Sequence, residues 1–208
     1  MSIEFNDTVM AHFFGDNEAV AVEHLRRYLA IFTGRLFERL ADPDPFSLTA
    51  NDFVAVTALS VEVPPEAAGR LLGDLRPTVG QLLRAIPVGA SITDTPELLD
   101  ESGAAWELYD LLRSIDGLGP TTVSKLMAAK RPALVPIRDS VVWAALGNPE
   151  LWWAPWVEFT TGSGAGERLD QLRQIARLAD ADHLTLLRVI DVVIWMRHRR
   201  QSSGSSAP

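Results

Sequence analysis

A chain of 208 residues, 47% hydrophobic and 22% charged, is long enough to bury one sizeable core or two small lobes, and a formal net charge of -8 sets it against polyanions. With no cysteine it excludes disulfides, thiolate zinc sites and cysteine-held iron–sulfur clusters; its histidines, His12, His24, His183 and His198, have no short ligand spacing, so neither a metal nor a cofactor is expected. No run of about 18 uninterrupted apolar residues occurs, and residues 1–13 carry acids and no basic apolar leader, so the expectation is a cytoplasmic protein without a membrane partner.

In chain order, helical spacing starts near Asp16, a candidate N-cap, and runs through Val20, Leu25, Leu29, Phe32, Leu36 and Leu40 until Pro43 and Pro45 stop it. Thr49 and Asp52 form a Thr-x-x-Asp capping pattern that restarts a helix, with Phe53, Val56 and Leu59 at helical spacing. Pro64 and Pro65 open the next helix, continued by residues 67–75, because proline is tolerated in a first turn. A short helix over 78–85, a connection over 87–100 and an amphipathic helix over 102–114 follow. Helices over 166–178 and 184–199 close the fold, and the Ser/Gly-rich tail 201–208 is too poor in apolar groups to order itself. No repeat and no strand is predicted. The fold class is all-α, a helical bundle, with residues 1–200 as a single mainly helical domain.

The stretch from Leu111 to Leu126 carries the most information. An amphipathic helix meets Gly117-Leu118-Gly119, and a second helix starts at once with Pro120 in its first turn and Val123 and Leu126 facing inward. Two glycines allow a sharp turn and leave backbone amides unshielded. A phosphate can then reach those amides, at Gly117, Leu118, Gly119, Thr121 and Thr122, and the positive end of the second helix. Glycine serves a plain helix–helix turn equally well.

The pattern Ile115-x-Gly117-Leu118-Gly119-Pro120-x-Thr122 resembles the hairpin of the helix-hairpin-helix DNA glycosylases, placing a helix-hairpin-helix at 111–127. Those enzymes carry a catalytic aspartate at a helix start beyond the hairpin, and Asp139, in Val135-Pro136-Ile137-Arg138-Asp139-Ser140-Val141-Val142, falls at the same interval after Gly119. Upstream, the apolar segment ending in Leu59-Ser60 is similar to the helix preceding that family's DNA-penetrating loop, so the glycosylase-like core spans residues 50–147. The chain is also similar to an uncharacterised bacterial family with this hairpin, through Thr33-Gly34-Arg35, Lys130-Arg131-Pro132 and Asp139-Ser140-Val141-Val142.

The resemblance implies hydrolysis of an N-glycosidic bond. Cleavage builds positive charge on the sugar, which the Asp139 carboxylate would stabilise while orienting a water. Aspartate is equally good as a simple N-cap. Four departures from the family pattern matter. Thr121 stands where lyase-competent members have lysine, so no amine is placed to form a Schiff base. Glu62 stands in the loop where the family offers an amide side chain to fill the vacated base stack, and Val141 where a polar group is common. The cluster-binding cysteines of some branches are absent.

Around the aspartate, Trp143, Trp152 and Trp153 are candidates for stacking on a base, although tryptophans this closely spaced, with Trp156, also suit a core. Arg138 is a partner for the carboxylate or for a phosphate. Trp106 and Trp195 read as core. Among the bases, Lys125 is expected to face solvent or a phosphate, and with Lys130, Arg131 and Arg138 it makes the better phosphate cluster. Arg197, His198, Arg199 and Arg200 suit the negative end of the last helix. Three readings follow: a monofunctional DNA glycosylase-like enzyme, a nucleoside or nucleotide N-glycosidase, and a non-catalytic module binding nucleic acid or protein through the hairpin.

Overall fold

The computed structural model describes residues 2–15 and 17–199; Asp16, Arg200 and the tail 201–208 lie outside the described residues. In chain order the helices are α1 (Ser2–Phe14), α2 (Glu18–Ile31), α3 (Phe37–Leu40), α4 (Ala50–Thr57), α5 (Pro65–Leu72), α6 (Arg76–Ala85), α7 (Ala104–Arg113), α8 (Pro120–Lys130), α9 (Ser140–Ala145), α10 (Trp153–Thr161), α11 (Ala165–Leu178) and α12 (Leu186–His198). Short 3-10 turns cover Thr33–Leu36 and Pro96–Leu99. The protein is all-α, and the described residues contain no strand.

Local chemistry explains the helix starts. Thr49 and Asp52 make the full capping box of α4, Pro65 and Pro120 occupy first-turn positions of α5 and α8, and the Thr185 hydroxyl caps α12 by accepting from the Arg188 amide. Three features depart from the pattern reading. The helix expected over 16–40 is broken at Phe32, whose backbone is extended (φ -90°, ψ 140°); the Thr33-Gly34 pair then makes a 3-10 turn, since a β-branched residue beside glycine supports a helix poorly. Asn17 is the cap of α2, its side-chain oxygen accepting from the Ala19 amide at 2.9 Å. Helices α1 and α10 lie where the sequence pattern predicts no helix.

The backbone divides into two compact units, Met1–Phe32 with Arg138–Pro208, and Thr33–Ile137, so the stretch 50–147 is cut at Ile137. The first unit is assembled around α12, in which Val189, Ile190, Val192, Val193 and Ile194 are all fully buried. It packs against α1, α2, α9 and α11. A helix buried on every side has no polar face to spare. The second unit has the same logic around α8, which packs against α4 and α7 and buries residues from Thr122 to Ala128 as well as Lys130.

Candidate functional site

In the second unit, α7 and α8 are joined by the turn 114–119. Ile115 and Leu118 anchor it by pointing into the core. Between them the backbone reverses at Gly117, whose φ of 85° lies in the left-handed region that disfavours any side chain. A Cβ there would also stand 2.9 Å from Cγ of Pro64, so the turn lies against the start of α5. Gly119 differs: it has φ -75° and N-caps α8 without a side-chain bond, and a Cβ on it would meet nothing within 4 Å. The Arg113 guanidinium donates to the Leu118 carbonyl and steadies the turn from α7. Thr121 is half-buried and Thr122 buried.

The basic residues of this region have other work than phosphate contact. Lys125, expected to face solvent or a phosphate, is 2% exposed, and its ammonium donates to the Leu59 carbonyl at 2.8 Å, beyond the end of α4. Lys130 makes a buried ion pair with Asp52, Nζ to Oδ1 2.7 Å, and donates to the carbonyls of Asp42 and Asp44 at 3.0 and 3.1 Å. Arg131, 1% exposed, donates to the carbonyls of Pro45, Leu83, Ile86 and Lys130. Burial lowers its pKa from the ordinary arginine value. The physical reason is the position of α8. Cations on a helix buried all round must find acceptors inside the unit, and loop carbonyls supply them. Low polarity in Val123-Ser124-Lys125-Leu126-Met127-Ala128-Ala129 was the sequence signal for this, and it outweighed the charges.

Asp139 and the residues grouped with it belong to the first unit. Asp139 is half-buried and N-caps α9, with Oδ1 accepting from the Val141 amide at 2.9 Å. One turn on, Trp143 is half-buried; its indole N–H donates to the Pro149 carbonyl at 3.1 Å, and the Arg138 guanidinium lies over its ring, 4.6 Å from the centroid. Carboxylate, indole and guanidinium therefore share one short stretch. Trp153, a pocket candidate by sequence, is buried in the core, and Trp152 packs edge-on against Trp156, which is itself buried between Phe5 and Phe159. Trp106 and Trp195, read as core, are half-buried and pack against Tyr109 and against Tyr28 and Phe32 respectively.

Two constellations escaped the sequence reading. Arg188 pairs with Asp191 one turn away on buried α12, donates to the Tyr28 hydroxyl and stacks on the Tyr28 ring at 5.2 Å from its centroid. His12 of α1 and His198 of α12 meet edge to face, Nδ1 to Nε2 3.3 Å. Their 186-residue separation left no spacing to read.

Among the described residues no group of three or more histidine and carboxylate side chains is placed to hold a metal ion, and no helix is long and apolar enough to cross a membrane. Neither the curated proteins nor the solved structures include a match to this chain. One family model covers residues 21–198, from α2 to the end of α12 and so through both units, and on that match the chain belongs to the family of unknown function DUF6308.

Proposed function

We propose that the protein is a divergent helix-hairpin-helix glycosylase-like hydrolase that cleaves the N-glycosidic bond of a nucleobase in DNA, as in base excision, without lyase activity, and that it acts in the cytoplasm. The observation that carries the reading is the Asp139–Trp143–Arg138 stretch: a carboxylate at a helix start, with an aromatic ring one turn further and a cation stacked on that ring. Asp139 would stabilise positive charge at C1′ and take a proton from the attacking water. The C1′–N bond breaks with the electron pair leaving on the base, which is reprotonated from solvent as water oxygen bonds to C1′. The resemblance of the turn at Gly117 and Gly119 to the family hairpin supports phosphate contact by the amides that open α8. Thr121 supports the monofunctional form, since it offers no amine.

A second reading, a nucleoside or nucleotide N-glycosidase, is favoured by the burial of Lys125, Lys130 and Arg131. Their charges are spent inside the fold, and a chain of net charge -8 is better suited to a small substrate than to a long polyanion.

Base release from damaged-base duplexes, free nucleosides and nucleoside monophosphates, measured by chromatography for wild type and Asp139→Asn, tests both. Asparagine keeps the cap but not the charge, so activity should fall by 100-fold or more, on the order of one electrostatic catalytic group, while stability changes little. Release from duplexes alone supports the first reading, and release from small substrates alone the second. No release from any of them, with salt-sensitive DNA binding retained, would leave a non-catalytic binding module.

A further inference from the structure

The His12–His198 contact joins the N-terminal helix α1 to the last turn of α12 within the first unit. With both imidazoles neutral, one ring nitrogen donates and the other accepts, and the 3.3 Å contact is satisfied. A second proton changes its sign. Two N–H groups then face each other, and the other nitrogen of His12, Nε2, is buried outside hydrogen-bonding geometry, the Ala145 carbonyl compensating the protonated ring only in part. We propose that this pair is an acid-operated latch, closed while both rings are neutral and opened by protonation, which releases α1 from α12.

The charges closest to the two rings are mainly positive. On α12, Arg197 donates to the His12 carbonyl at 3.3 Å and adds positive charge beside both rings. On α2, which packs against both helices, His24 sits with Arg27, Arg197 and Arg199 and the opposing acid Glu23, and its buried Nδ1 meets no partner. On α10, which packs against α1, Glu158 is exposed and folded towards Gly162. On α9 the Ala145 carbonyl favours the protonated His12 ring, which offsets burial only in part. Burial first, then the charge of His198, lower the His12 pKa to about 4 from 6.5, and burial followed by Arg197 lowers that of His198. A histidine whose folded value is depressed stabilises the closed form fully above 6.5 and loses that contribution as pH falls towards the folded value.

The test is amide hydrogen exchange of the full chain, comparing protection factors of α1 with those of α8 between pH 7.5 and 5, together with titration of the His12 and His198 rings by NMR. One histidine shifted from 6.5 to about 4 raises the opening constant by up to about 30-fold at pH 5, so α1 protection should drop by that order while α8 protection holds. In the His12→Gln, His198→Gln double variant, whose amides stay neutral, the acid-dependent drop should disappear. An unchanged drop in that variant would overturn the latch. So would folded-state ring pKa values near 6.5, a result read on the wild type and therefore available even if the variant fails to fold.

Discussion

Lys130 Nζ lies 2.7 Å from Oδ1 of Asp52, with both side chains essentially sealed from solvent, and the same carboxylate accepts the Thr49 amide at 2.8 Å through Oδ2. One ion pair thus binds the last turn of α8 to the first turn of α4. Breaking it from one side leaves a buried charge without its counter-charge. Asp52→Asn or Lys130→Met should each destabilise by about 3–5 kcal/mol in urea unfolding, whereas the double variant should lose much less than the sum. Single-variant losses under about 1 kcal/mol would show the pair to be incidental.

Lys125 provides the sharpest test of its reassignment from phosphate contact to structural anchor. Lys125→Met removes the bond to the Leu59 carbonyl and should cost about 1–3 kcal/mol of stability. If nucleic acid binds at all, the slope of its affinity with salt should be unchanged, because a lost phosphate contact lowers that slope by about 1. A flattened slope with undiminished stability would return Lys125 to the surface.

The two glycines of the turn should behave oppositely. Gly117→Ala combines a left-handed φ with a contact of 2.9 Å to Pro64 and is expected to cost about 1–3 kcal/mol; Gly119→Ala, at φ -75° in open space, should cost about 1 kcal/mol or less, the difference between glycine and alanine at an N-cap. Gly119→Ala is therefore the variant with which to measure ligand affinity at the α8 start, since loss of binding there would not be loss of fold. Thermal melts of the two single variants decide the contrast.

Acid should act on the two units at different pH. In the first, the depressed His12 contribution is complete above 6.5 and fades as pH falls towards about 4. In the second, Asp42 and Asp44 have pKa values lowered from 3.8, Asp42 chiefly by the Asp44 amide and Asp44 chiefly by the Ser47 hydroxyl. Their stabilising contribution is complete above 3.8 and is lost only as pH falls through the lowered values. Trp106 is the tryptophan of the second unit and Trp143, Trp152, Trp153, Trp156 and Trp195 those of the first, so single-tryptophan variants followed by fluorescence should report acid loss of the first unit at higher pH. Coincident transitions would contradict this order.

What the sequence reveals here follows the range of the interactions. Caps and prolines act within four residues, so the starts of α4, α5 and α8 are readable from Thr49, Asp52, Pro65 and Pro120. The cap at Asp139 is of the same kind. Helix α10 is hidden because its tryptophans suggest a binding face as readily as a core, and α1 because its inward stripe rests on only three spaced residues, Phe5, Val9 and Phe13. The roles of Lys125, Lys130 and Arg131 depend on carbonyls 45–88 residues away, apart from Lys130's own, and charge alone gives no hint of burial when the acceptors are main-chain atoms.

The discontinuity of the first unit bears on how the protein is made. Helices α1 and α2 are synthesised before α12, against which both pack and which is completed only after the whole of Thr33–Ile137 has been translated. At about 5–20 residues per second, their apolar faces wait for roughly 10–30 s, time enough for the second unit to close around α8. The nascent chain thus leaves Phe5, Val9, Phe13, Val22 and Leu25, all buried in the finished fold, without α12 to cover them throughout the synthesis of its middle.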